Sequence, residues 1–128
     1  MPGAGAFSTN LQAAQIAQNY TMAVRAYGVV GAAQTLDLNG GNFMTATLNS
    51  ATATVFTMPL PVAGKSFTLL LRQPATGTVA TATFTPAVAW VNGGIALVIS
   101  PTLGGIDILT FVSDGVVWLG QYTQGMSY

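Results

Sequence analysis

Residues 105–120, GIDILTFVSDGVVWLG, contain the pattern that decides the fold class. The runs 106–112 (IDILTFV) and 115–119 (GVVWL) are rich in the β-branched and aromatic residues that favour strands. Between them, Ser113, Asp114 and Gly115 are typical of a tight turn. The stretch therefore predicts two strands joined by a hairpin.

The same pattern extends over most of the chain. It predicts further strands at 34–38 (QTLDL), 43–48 (FMTATL), 52–57 (TATVFT), 66–72 (SFTLLLR), 79–85 (VATATFT) and 95–99 (IALVI). Gly, Pro and Asn separate these runs, and NGGN at 39–42 predicts a hairpin between the first two. Short strands at regular spacing, with no helix alternating between them, indicate an all-β fold that is an antiparallel sandwich or a jelly-roll-like barrel.

The N-terminal part of the chain has a different composition. Residues 11–19 (LQAAQIAQN) are rich in Ala and Gln, and apolar residues recur at helical spacing from Ala13 to Tyr27. The residues from Tyr20 to Ala26 also alternate in the way of a strand. We therefore predict an arm over residues 1–19, either a short helix or an extended chain, and a single β domain over residues 20–128 with a short C-terminal tail.

Charged residues are nearly absent. Three basic and three acidic residues make up 5% of the 128 residues, against about 25% in ordinary soluble domains. The absence of Cys and His excludes disulfides, thiolate nucleophiles, Ser-His-Asp triads and the usual zinc sites. Since Arg25, Lys65 and Arg72 are scattered and the net charge is zero, we predict no nucleic-acid partner.

The mean hydropathy of +0.55 is high for a soluble domain. Gly, Pro, Asn and Thr nevertheless interrupt every apolar run before it reaches the roughly 18 residues of a membrane span. The first residues also lack the basic region and apolar core of a signal peptide. We predict no membrane partner, and because few surface charges favour association, we predict a homo-oligomer.

The three carboxylates are the candidates for acid–base chemistry. Asp114 precedes a glycine in the predicted turn, Asp107 lies at the start of a strand, and Asp37 precedes the first predicted turn. Aspartate at such positions commonly supports the backbone by local hydrogen bonds. Because no spacing pairs two of them for general acid–base work, we predict no catalytic residues and no enzymatic activity.

Two other clusters are candidates for chemistry. Asp37, Asn39 and Asn42 carry the oxygen ligands that hard cations take, but one carboxylate in a hairpin is a weak site. Lys65 and Ser66 suggest a catalytic dyad, yet adjacent residues on a strand point to opposite faces. We therefore predict no bound metal and no cofactor.

The aromatic residues are the candidates for a sugar-binding platform. They are Trp90, Trp118, Tyr20, Tyr27, Tyr122 and Tyr128. Trp118 lies in an apolar run and is expected in the core, whereas Trp90 precedes a glycine turn. Tyr122, Met126 and Tyr128 form a tail that is expected to pack on a neighbour.

The closing stretch 105–120 resembles the final hairpin of a β-rich domain that recurs in virion proteins of tailed bacteriophages, in fibres, appendages and small head proteins. Looser landmarks of that domain follow the same order upstream, at 36–42 (LDLNGGN), 45–48 (TATL), 61–71 (PVAGKSFTLLL), Gln73 and Trp90. The resemblance covers about residues 34–120. The chain departs from the pattern at Leu119, where the family has an aromatic residue, and at Val91, where it has proline.

The resemblance implies a non-enzymatic structural role in the virion, as a homo-oligomer and often a trimer. We expect a capsid decoration, cement or head-fibre protein on the capsid exterior, in contact with the major capsid protein, with the arm anchoring the domain or exchanging with its neighbours. A tail-fibre, neck or baseplate appendage is the alternative. A third possibility is a receptor- or glycan-binding module that uses Trp90 and the loop near Asn92.

Overall fold

The computed structural model describes residues 21–127, which form nine strands and one short helical segment in which Asn92 and Gly93 have positive φ values. The elements in chain order are β1 (Val24–Val29), β2 (Ala33–Thr35), β3 (Phe43–Thr47), β4 (Ala53–Thr57), β5 (Ser66–Arg72), β6 (Thr81–Thr85), β7 (Ala89–Trp90), α1 (Val91–Gly94), β8 (Ile106–Ser113) and β9 (Trp118–Met126). The predicted all-β class is therefore confirmed. The predicted arm over residues 1–19 lies outside the described residues.

The strands form two sheets, with the orders β1-β3-β5-β8-β9-β7 and β2-β4-β6. From β1 to β6, successive strands alternate between the sheets. The parallel pairs among them are β1 with β3, β3 with β5, β2 with β4 and β4 with β6. Strand β7 is also parallel to β9. Within residues 21–127, antiparallel pairing is confined to β5 with β8 and β8 with β9.

The prediction of an antiparallel arrangement is therefore wrong for most of the chain. The turn at 39–42, predicted to close a hairpin, instead carries the chain from β2 in the small sheet to β3 in the large one. Gly41 makes this route possible, because its φ of 145° suits glycine and a Cβ there would collide with the backbone of Ala23. The hairpin predicted at Ser113, Asp114 and Gly115 does form, between β8 and β9.

The core lies between the two sheets and is built by alternation along the strands. Phe67, Leu69 and Leu71 of β5 are buried, whereas the residues between them are half-exposed. The small sheet contributes Phe56, whose ring stacks on Phe84 at 5.3 Å between centroids. Each such side chain contributes about 1.5–3 kcal/mol when it is fully removed from water. Side chains of both sheets thus belong to one apolar cluster.

Segment 95–99 differs from its prediction. The burial alternates as expected, with Leu97 and Ile99 buried and Val98 exposed, but the segment joins neither sheet among the described residues. Hydrogen bonds from side chains, and not a backbone ladder with a neighbouring strand, fix this segment. The amide of Gln124 donates to the Val98 carbonyl at 2.6 Å, and Gln73 donates to the Ser100 carbonyl at 3.0 Å.

Other strand boundaries also differ from the predictions. Strand β1 begins at Val24 and not at Tyr20, and β2 covers Ala33–Thr35 in place of 34–38. Strand β6 begins at Thr81 and not at 79, and the short β7 was not predicted. Strand β9 begins at Trp118 because the residues before it are held in the turn by Asp114. The same strand continues to Met126, so most of the predicted tail is a strand of the large sheet. Among residues 21–127, no helix has the length and apolar character of a bilayer span.

Candidate functional site

Asp107 is a buried carboxylate in β8 whose oxygens are occupied by backbone and amide donors. The Ser100 N–H donates to Oδ2 at 2.8 Å, and the Gln124 side-chain amide donates to the same oxygen at 3.1 Å. The Gly125 N–H donates to Oδ1 at 3.1 Å. This carboxylate therefore joins β8, β9 and the segment before residue 100, which is a structural role.

Asp114 lies far from Asp107. Asp114 follows β8 at its opposite end, so the seven intervening steps place it about 23 Å away at strand spacing. Its Oδ1 accepts the N–H groups of Val116 and Val117, both at 2.9 Å. These hydrogen bonds lower the pKa of Asp114 below its ordinary value, because they favour the charged form. The structure does not pair these two carboxylates for acid–base work.

The loop that carries Asp37, Asn39 and Asn42 uses its polar groups locally. Asp37 Oδ1 accepts the Asn39 N–H at 3.1 Å, and Oδ2 lies 4.0 Å from the Arg25 guanidinium at the surface. Asn42 turns away and donates to the Ser66 carbonyl at 2.9 Å. In residues 21–127, no three acidic, His or Cys side chains converge on a position where a metal could bind.

The aromatic candidates do not form one platform. Trp118 is buried as predicted, and its indole N–H donates to the Pro59 carbonyl at 2.8 Å. Trp90 is also buried, with its ring 5.5 Å from Phe84 and 6.0 Å from Tyr122. Tyr27 lies on β1 at the other edge of the large sheet. Tyr20 and Tyr128 lie outside the described residues.

A groove on the outer face of the large sheet was not predicted from the sequence. It encloses about 780 Å³ and crosses β5, β8, β9 and β7. Cross-strand rows line it, with Thr68 beside Thr110 and Gln121 in one row, and Val112 beside Leu119 in the next. The outward alternation of Thr and Gln on each strand is the sequence signal, but only the strand order brings these residues together.

The groove is suited to packing and not to catalysis. Each described residue that lines it is uncharged, and the hydroxyl groups of Ser66, Thr68 and Thr110 lie among apolar side chains. Such a lining favours an uncharged occupant with apolar surface.

A second exposed feature is an apolar patch at one end of the molecule, called here the end patch. It consists of Leu60 and Val62 in the loop after β4, and Val116 and Val117 in the turn after β8. The two loops are adjacent, since the Gly64 N–H donates to the Ser113 carbonyl at 2.9 Å. Contiguous exposed apolar surface of this kind marks interaction sites.

Comparisons with family models, curated proteins and solved structures find no match to this chain.

Proposed function

We propose that this protein is a non-enzymatic structural component of a tailed-bacteriophage virion, a capsid decoration, cement or head-fibre protein that acts as a homo-oligomer, with a trimer favoured. The resemblance of residues 34–120 to phage virion domains supports the proposed role in a virion. The end patch supports association between copies of the chain. In this proposed role the chain lies on the capsid exterior and binds the major capsid protein as its second partner.

The end patch is the observation that carries the association. Leu60 and Val116 are among its most exposed side chains, and Val116 is 78% exposed. The side chains at 59–64 and 115–117 are uncharged, and the charged residues Lys65 and Asp114 directly follow the first stretch and directly precede the second. Apolar contact at the centre of an interface, with polar residues at its rim, is the usual arrangement of stable complexes.

The architecture within the all-β class is proposed to be a sandwich. The two sheets share one apolar cluster, and the Phe84 ring of the small sheet lies 5.9 Å from Phe111 of the large sheet. Face-to-face packing of this kind leaves the outer faces and the ends of the domain free for contacts with neighbours.

The experiment compares two lysine substitutions at equally exposed valines. Val116→Lys places a charge in the end patch, and Val98→Lys places one at a site that is 76% exposed near the other end of β8. We expect light scattering to give an oligomer for the wild type and for Val98→Lys, and a smaller species for Val116→Lys. A wild-type protein that is a stable monomer at high concentration would overturn the proposed association.

A further inference from the structure

The two sheets end together on one side of the molecule. β1 is the first strand of the large sheet and β2 is the first strand of the small sheet, and within residues 21–127 neither has a partner on its outer side. β1 is accessible there, since five of its six residues are exposed. The outer sides of β1 and β2 are called here the open edge.

The backbone of β1 presents hydrogen-bonding groups at the open edge. The Ala23 carbonyl accepts the Phe43 N–H at 3.3 Å, so Ala23 faces β3. Successive residues of a strand direct their N–H and C=O groups to opposite sides, so Val24 and Ala26 direct theirs away from β3. An edge of this kind is a template for a strand of another chain.

Arg25 lies between these two residues, and its side chain points to the core side of the sheet. Its partner on β3 is Met44, which is fully buried, and paired residues share a face. The Arg25 guanidinium lies 5.1 Å from the ring centre of Tyr27, which packs against the core two residues further along β1. Arg25 therefore covers the end of the core at the open edge, with its side chain 45% exposed.

Contacts with the segment after β2 hold the Arg25 side chain in this position. Asp37 lies 4.0 Å from the guanidinium, and the Asp37 N–H donates to the Tyr27 hydroxyl at 3.0 Å. The aliphatic part of Arg25 also packs beside Gly40, where a Cβ would collide with it. An ion pair thus bridges β1 and the segment after β2 at the open edge, in a chain that has six charged residues.

This ion pair makes the addition of a strand unfavourable. A second copy that paired with the open edge would remove water from the Arg25 side chain of both copies. Burial of a charge costs free energy unless close hydrogen-bonded pairing compensates it, and an exposed pair at 4.0 Å supplies little compensation. Charged residues that point inward are one of the means by which natural sheets protect their edges.

We propose that Arg25 prevents a second copy of this chain from adding to the open edge. When the charge is removed, β1 of one copy pairs in antiparallel with β1 of the other about a twofold axis, which is the self-complementary arrangement. This inference does not depend on the proposed virion function or on the end patch, because it concerns a different surface.

The test replaces Arg25 by valine and by lysine in the full-length chain. Valine favours strands and carries no charge, whereas lysine keeps the charge. We expect sedimentation over a range of concentrations to give Arg25→Val at least twice the mass of the wild type, and Arg25→Lys the wild-type mass. Arg25→Thr takes the place of Arg25→Val if circular dichroism shows that the valine variant is unfolded. A folded variant without the charge that keeps the wild-type mass at every concentration would overturn the proposal.

The variant Val24→Pro/Arg25→Val is the matched control. Proline removes the N–H that Val24 directs to the open edge, and it is tolerated at the first residue of a strand. Because both variants lack the same charge, we expect the double variant to return to the wild-type mass. A double variant as large as Arg25→Val would show association through another surface and would overturn the proposal.

Amide exchange locates the new contact. In Arg25→Val, we expect the Ala26 amide to exchange severalfold more slowly than in the wild type, because pairing at the open edge gives it an acceptor. An Ala26 amide that exchanges as fast as in the wild type, in a sample of doubled mass, would contradict pairing at β1.

Discussion

The substitution Asp107→Asn tests the structural role of the buried carboxylate. Oδ2 accepts two hydrogen bonds, from the Ser100 N–H and the Gln124 amide, and Oδ1 accepts one, from the Gly125 N–H. Asparagine has one acceptor oxygen and one amide donor in place of the two oxygens. Its better orientation keeps oxygen at the Oδ2 position and turns the amide toward the Gly125 N–H, so one donor faces another.

The magnitude follows from these three hydrogen bonds. Leaving the Gly125 N–H without an acceptor costs about 1–3 kcal/mol, and the two remaining bonds lose the strength that a charged acceptor gives them. Relief of the desolvation of the buried charge offsets part of this loss. We expect the free energy of unfolding to fall by about 2–4 kcal/mol, which lowers Tm by about 8–16 °C for a domain of this size.

The assay is thermal unfolding followed by circular dichroism at a fixed protein concentration, because association makes Tm depend on concentration. The control is Asp114→Asn, since both donors to Asp114 bind Oδ1, an oxygen that asparagine retains. We expect the control to lower Tm by about 4 °C at most, because it loses only the charge of an exposed side chain and keeps both hydrogen bonds. A Tm for Asp107→Asn no lower than that of the control would refute the assigned role.

The remaining predictions concern packing, the β8–β9 turn and one buried indole. Gly120→Ala would place a Cβ 2.6 Å from the Trp90 ring, so we expect urea titration to show a free energy of unfolding that is lower by about 1–3 kcal/mol. Gly31→Ala is the control, because the space around Gly31 is open, and it should lower the free energy of unfolding by about 0.5 kcal/mol at most. A destabilisation by Gly31→Ala as large as that by Gly120→Ala would contradict the packing argument. The pKa of Asp114 is lowered in the folded protein, so its stabilising contribution is present above the unfolded pKa and is lost as the pH falls through the folded pKa. The protection factors of the Val116 and Val117 amides, which compare each exchange rate with the intrinsic rate at the same pH, should therefore fall in acid, and an Asp114→Asn variant with the same fall would contradict this. Trp118→Phe removes the indole N–H that donates to the Pro59 carbonyl, so urea titration should show a free energy of unfolding that is lower by about 1–3 kcal/mol. An unchanged free energy of unfolding would argue against this hydrogen bond.

Strand positions could be predicted from the sequence because their signal is local. The alternation in Ser66–Arg72 and the β-branched and aromatic content of Ile106–Ser113 depend only on neighbouring residues, and both strands form where they were expected. The turn at Asp114 was predicted for the same reason. Its side chain bonds residues two and three positions onward.

Strand pairing could not be predicted, because partners are distant in sequence. Nothing near Phe43–Thr47 indicates that it pairs in parallel with Val24–Val29 and Ser66–Arg72 rather than with the preceding strand. The absence of a backbone ladder at 95–99 could not be predicted for the same reason, because the Gln124 amide that donates to the Val98 carbonyl belongs to β9, which is distant in sequence. The groove was missed because its lining residues are gathered from four strands that are separate in sequence.

Imaging of purified phage particles that contain this protein tests the central proposal most directly. Cryo-electron microscopy, with the particle proteins identified by mass spectrometry, locates the chain and gives its copy number. The proposal predicts many copies of a trimer spread over the capsid exterior, with the end patch buried in contacts between copies. Absence of the chain from purified particles would contradict a structural role in the virion, and a few copies confined to the tail or neck would contradict decoration of the capsid.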